Sequence, residues 1–249
     1  MCNGTIMDKL ISFSLPLMLS GILQLMFNAV DIIVIGRFSG SQSLAAVGST
    51  TALINMFTNL FIGISLGANV LSARFYAAGK DKEMSETVHT AITLALISGI
   101  IMVFVGLIFA KPVLELMDTP DDVINLSTLY MRIYFMGMPF FMLYNYGAAI
   151  LRAIGDTKRP LIFLIISGIA NAALNMILVI LFHMGVAGVA IGTIISQLIS
   201  CVLVLTCLYR SEGSYQLRFS KLKINGAYME QIFQVGVPAG IQSTVINLS

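Results

Sequence analysis

Apolar residues along this chain fall into long blocks separated by short polar stretches. Runs poor in charge recur at about 10–36, 44–73, 87–110, 122–150, 160–183 and 186–208, and a further run begins near 227. A helix rises about 1.5 Å per residue, so roughly 20 residues cross a hydrocarbon core of roughly 30 Å. The pattern therefore predicts an all-α membrane protein, a six-helix transmembrane bundle with the start of a seventh helix. The first run is not a cleavable signal peptide. A signal has a short apolar core and a small-residue cleavage site, whereas this run is long and ends in "VIGRFSG".

Composition agrees. Only 10% of residues are charged and 57% are hydrophobic, against about 25% charged in an ordinary soluble domain. The net charge of +2 gives no reason to expect a nucleic-acid partner. Cys2, Cys201 and Cys207 are too few and too apolar in context for a disulfide framework or metal site. Charge distribution is more informative, because lysine and arginine collect in cytoplasmic loops. With the N-terminus in the cytoplasm, the cytoplasmic segments hold eleven of the fourteen basic residues. The opposite side holds only Arg37 and Lys111, together with Glu115, Asp118, Asp121 and Asp122. The expected location is multi-pass in the cytoplasmic membrane.

A repeat adds domain organisation. "MDKLISFSLP" at 7–16 returns as "MEQIFQVGVP" at 229–238. An even number of spans lies between the copies, so both enter from the same face, as in a parallel repeat. The position matching Asp31 in the second copy falls beyond Ser249. The sequence thus reads as the first half of a two-lobed protein. Its expected parts are a lobe at 1–210, a cytoplasmic inter-lobe loop at 211–226 and the first helix of the second lobe at 227–249.

Several spans carry polar rows. Ser20, Gln24, Asn28 and Asp31 fall within one narrow face of the first helix. Ser167, Asn171 and Asn175 recur every four residues on the fifth, Thr193 and Gln197 on the sixth, and Thr51, Asn55 and Asn59 on the second. A charge at the bilayer centre costs at least about 2.5–3.5 kcal/mol on insertion scales, so such faces point into a bundle or wet cavity. Amide and hydroxyl oxygens beside one carboxylate suit a hard cation or a proton relay. The competing reading pairs Asp31 with Arg132 of the fourth run and gives it no other role. Any single polar row is also explained as interhelical hydrogen bonding worth about 0.6 kcal/mol.

Other features are weaker. "GISLG" at 63–67 has the G-x-S-x-G pattern of a serine nucleophile, but that pattern needs a strand-to-helix elbow. Small-residue helix packing accounts for it more simply. Fifteen methionines, Met138 among them, could form an adaptable cavity wall. Pro16 lacks an amide hydrogen and can kink the first helix.

"DIIVIGRFSGSQSLAAVG", "SARFYAAGKDKE", "LRAIGDTKRP" and "FHMGVAGVAIGTIISQ" resemble the multidrug and toxic compound extrusion (MATE) transporters, in order along essentially the whole chain. The resemblance implies one lobe of a two-lobed, twelve-helix transporter, with the C-terminal lobe as partner. It also implies efflux of small amphiphilic or cationic organic substrates across the cytoplasmic membrane, with the lipid bilayer as surrounding partner, driven by H+ or Na+ entry, with no other cofactor and no enzymatic step. Residue by residue, it implies a cation-coupling set of Asp31, Asn171, Asn175 and Thr193, with Na+ conceivable at Asp31, Asn171 and Asn175. Pro16 matches the kink proline. Gln24, Asn28, Asn55, Met138 and Gln197 are the expected cavity-lining residues. The sequence departs from the pattern at Asn175, where members with a cation site carry a second aspartate, so the site holds a single negative charge. Two alternatives are a lipid-linked oligosaccharide flippase of the same superfamily and, more remotely, an intramembrane serine protease.

Overall fold

A computed structural model describes the backbone of residues 6–248 and the side chains of residues 10–245. Its helices are α1 (Ile6–Phe38), α2 (Gly40–Ala77), α3 (Asp81–Leu116), α4 (Asp121–Met136), α5 (Met138–Ala153), α6 (Lys158–Met176), α7 (Gly185–Arg210) and α8 (Gly226–Leu248). A π-helical turn, Ile177–Leu181, extends α6, and a short 3₁₀ turn, Phe219–Lys221, lies between α7 and α8. Helices α1, α2, α3, α6 with its extension, and α7 are each long and apolar enough to cross a membrane. The chain is a multi-pass membrane protein.

The fourth apolar run, expected as one helix, is broken into α4 and α5. Pro139 has no amide to give to the preceding turn, and its ring clashes with the carbonyl four residues back. Helix α5 restarts with the Phe140 and Phe141 amides both donating to the Gly137 carbonyl at 3.1 Å. Glycine at 137 leaves room for α7, since a Cβ there would meet the Gln197 Oε1 at 2.6 Å and the Ile194 side chain at 2.9 Å.

The break is seated on α3. A Cβ at Gly99 would overlap the Pro139 backbone, and one at Gly106 would overlap the Phe135 ring. Two glycines on α3 thus let the α5 backbone and the Phe135 side chain of α4 approach closely. The core around them is made of Phe135, Met102, Met131, Met138, Met142 and Tyr146, all essentially inaccessible. Methionine fills this irregular junction because its unbranched thioether adapts to odd gaps.

The broadest helix–helix contact joins α2 to α8. Gly63 lies against Gly240, and Gly67 against the Ile232 carbonyl. The two repeat copies therefore lead into α1 and α8, each with a proline inside the helix, Pro16 and Pro238. Helix α1 is the least covered span. Leu15, Met18, Ile22, Leu25 and Met26 are all exposed, and α1 touches the bundle mainly through α6 and α2. The Phe27 ring occupies the space a side chain at Gly168 would fill.

Candidate functional site

The polar rows of α1, α6 and α7 meet where Phe27 docks α1 onto α6. Asn175, fully buried near the end of α6, donates from Nδ2 to Asp31 Oδ1 at 2.5 Å and to Asn171 Oδ1 at 3.3 Å. Asn171, also buried, donates to Thr193 Oγ1 at 3.4 Å, and Thr193 back-bonds to the Val189 carbonyl at 2.9 Å. The spacing of four along α6 puts both asparagines on one face, and the same spacing on α7 stacks Thr193 below Gln197. A continuous chain of hydrogen bonds thus runs from a lone carboxylate on α1, across α6, to α7.

The chain of bonds is incomplete in a specific way. Asn175 Oδ1 and Gln197 Oε1 are buried without a hydrogen-bond partner. Asn175 Oδ1 rests over Gly192, where any Cβ would collide with it. The π-helical turn begins two residues after Asn175, and such turns often occur at functional sites. Asp31 itself makes no ion pair. The ion pairs among the described residues are Lys111–Glu115 and Arg159–Asp156, and Arg132 is exposed. The pairing of Asp31 with Arg132 is therefore absent.

A hard monovalent cation or a proton suits these groups. Asp31, Asn171 Oδ1 and Thr193 Oγ1 supply oxygens, and Asn175 could add the orphaned Oδ1 if its amide turned over. As placed, the Asn175 amide NH2 bridges two acceptors and stands where a cation would. No cluster of three or more histidine, cysteine or acidic side chains occurs among the described residues.

The remaining expected residues divide. Ser20 turns inward and donates to the Pro16 carbonyl at 2.8 Å, which satisfies an acceptor beside the buried proline. Gln24, Asn28 and Asn55 are exposed, on open faces of α1 and α2. Gln197 is buried against the α4–α5 break. Met138 is fully buried at the start of α5, in the core beside the break. Ser65 sits in mid-helix and donates to the Ile62 carbonyl at 2.6 Å, while its flanking glycines pack on α8. Those glycines account for "GISLG" and leave no nucleophile elbow.

Sequence reasoning missed two aromatic neighbours. Tyr130 and Tyr134, one turn apart with ring centroids 6.0 Å from each other, lie within electrostatic range of Asp31, and the Gln197 amide reaches Tyr134. Their i,i+4 spacing in "LYMRIYFM" was the available signal. Removing Asn175 should show how far Asp31 depends on it. Asn175→Leu leaves a half-buried carboxylate without a donor, and such a loss costs about 1–3 kcal/mol. Thermal unfolding in detergent should fall accordingly, with Asn171→Leu lowering it less.

The MatE family model matches residues 16–177. "Probable multidrug resistance protein YoeA" of Bacillus subtilis is 32% identical over 246 residues, covering 95% of this chain and 53% of that protein. "Multidrug export protein MepA" of Staphylococcus haemolyticus is 28% identical, covering 99% of this chain and 56% of that one. Among solved structures, "Crystal structure of MATE in the bent conformation" superposes with a TM-score of 0.91 at 22% identity, over 98% of this chain and 55% of that chain. The chain spans about half the length of the curated relatives it matches.

Proposed function

The chain belongs to the MatE family, and from that premise we propose that it forms the ion-coupled lobe of a multidrug efflux antiporter, with Asp31 as the coupling carboxylate. The observation that supports this reading most is the bond between Asp31, the one acid deep in an apolar span, and Asn175 on α6. It ties the most loosely packed helix of the bundle to the rest through a group whose charge a cation can cancel.

The mechanism follows from that tie. With the cavity open to the outside, a proton or sodium ion enters and neutralises Asp31, with oxygens from Asn171, Asn175 and Thr193 in reach. The Asn175 amide then loses its charged acceptor, and α1 loses its strongest polar attachment. Pro16 breaks the regular bonding of α1 within its first turns, so α1 can bend without unwinding the lobe. Bending reshapes the exposed face that carries Gln24 and Asn28, and the bound substrate leaves. Substrates of this site are amphiphilic or cationic organic molecules, held by apolar and amide surface on α1 and α2. On the asymmetry of basic residues, the N-terminus lies in the cytoplasm.

Reconstitution tests the reading. In proteoliposomes, an imposed proton or sodium gradient should drive transport of a cationic fluorescent dye, and collapsing the effective gradient with an ionophore should stop it. Dye transport that ignores both gradients would contradict the proposal.

A further inference from the structure

The segment between α7 and α8, residues 211–225, is held down along its length. Leu217 is fully buried, and its amide donates to the Leu208 carbonyl at 3.1 Å. Tyr215 meets Tyr76 of α2 edge to face, and Phe219 stacks on Tyr209 of α7. Further polar anchors come from α7, where Gln216 Nε2 donates to the Tyr209 carbonyl at 3.3 Å, and from the first turns of α3. The Arg218 amide donates to His89 Nε2 at 3.1 Å, and the Asn225 amide donates to Thr90 Oγ1 at 3.1 Å. Asn225 Nδ2 donates to Glu86 Oε2 at 2.8 Å, and its Oδ1 accepts the Ala227 amide that opens α8. This connection is a strap that sets where α8 starts.

One anchor has chemistry the others lack. His89 is buried, with Nδ1 at 2.6 Å from the Ser85 carbonyl. A carbonyl can only accept, so Nδ1 carries the hydrogen. The backbone amide of Arg218 can only donate, so Nε2 must offer a lone pair. Both contacts are met only by the neutral ring in this tautomer. Adding a proton turns Nε2 into a donor facing another donor.

We infer that His89 is a pH-sensitive clamp that holds the 211–225 strap, and with it the first turn of α8, against α3 when neutral and releases it when protonated. The sign follows from the geometry: the strap is closed at higher pH and opens as pH falls. The ionisable groups at this end of the elements packed here are Asp81, Lys82, Glu83 and Glu86 of α3, Arg74 and Tyr76 of α2, Cys207, Tyr209 and Arg210 of α7, Glu212, Tyr215, Arg218, Lys221 and Lys223 of the strap, and Tyr228 and Glu230 of α8. Of these, Glu86 also holds the strap, through Asn225, so the test must separate the two. The device lies far along the sequence from Asp31 and does not depend on the coupling role proposed for it.

Hydrogen exchange of the purified chain in lipid nanodiscs tests the clamp, with rates corrected for intrinsic exchange. Between about pH 8 and pH 5, the range in which histidines titrate, the peptide spanning Arg218 should lose about tenfold protection, the equivalent of one hydrogen bond. Peptides around the buried Tyr146 should not change. In His89→Gln the pH response of the strap should vanish, whether the glutamine seats the strap or frees it. In Glu86→Gln and Thr90→Val the response should persist. Three results would each overturn the inference: a wild-type strap indifferent to pH, a response that survives in His89→Gln, or a parallel loss of protection at Tyr146.

Discussion

Leucine in place of Gly63 is expected to pull α8 away from α2 and destabilise the chain by about 3 kcal/mol or more. Overpacking a tight core typically costs about 1–3 kcal/mol, but that range assumes that flexible side chains can yield. Here the obstacle is backbone. The first carbon added at Gly63 would overlap Gly240, and one added at Gly67 would overlap the Ile232 carbonyl. Neither atom can rotate aside, so the helices must separate and lose their shared apolar surface. Gly48→Leu on the same helix is the control, because nothing lies within 4 Å of its added Cβ. It should stay within about 0.5 kcal/mol of wild type. Thermal unfolding in detergent measures both, and spin labels on α2 and α8 would report the separation directly.

Asp31→Asn is expected to abolish ion-driven export while leaving the lobe folded. The substitution keeps size and shape, and the new amide can still accept a bond from Asn175. What it removes is the charge that a cation cancels. Each charge crossing 100 mV contributes about 2.3 kcal/mol, a concentration ratio of roughly fifty, and that accumulation should disappear. Thermal stability should hold or rise slightly, because a partly desolvated charge has gone. Asn175→Leu should behave differently, lowering stability as well as export, since it strands the carboxylate instead of neutralising it.

The contrast between those two substitutions shows what the sequence carried. The spans were legible because crossing lipid forces long apolar runs, and the repeat was legible because it preserved a proline with its flanking pattern. The α4–α5 break was not read from hydropathy, since Met136, Gly137, Met138 and Pro139 continue an apolar run. Its signal was local chemistry, a proline next to a glycine. Site residues show the same division. Helical spacing placed Asp31, Asn171, Asn175 and Thr193 on inward faces, and the structure joins them across 144 residues of sequence from Asp31 to Asn175. Spacing alone could not say which faces neighbours would cover. Gln24, Asn28 and Asn55 remain open, while Met138 is enclosed by a break that periodicity does not encode. The glycines of "GISLG" had a meaning that only their α8 partner reveals.

The central claim is that Asp31 exchanges a cation as substrate binds and leaves. The direct measurement is cation release on substrate addition, followed with a pH-sensitive dye in weakly buffered detergent solution and, in parallel, with radioactive sodium. Saturating cationic substrate should release protons or sodium from the wild-type protein, and Asp31→Asn should release neither. Undiminished release from Asp31→Asn would contradict the account.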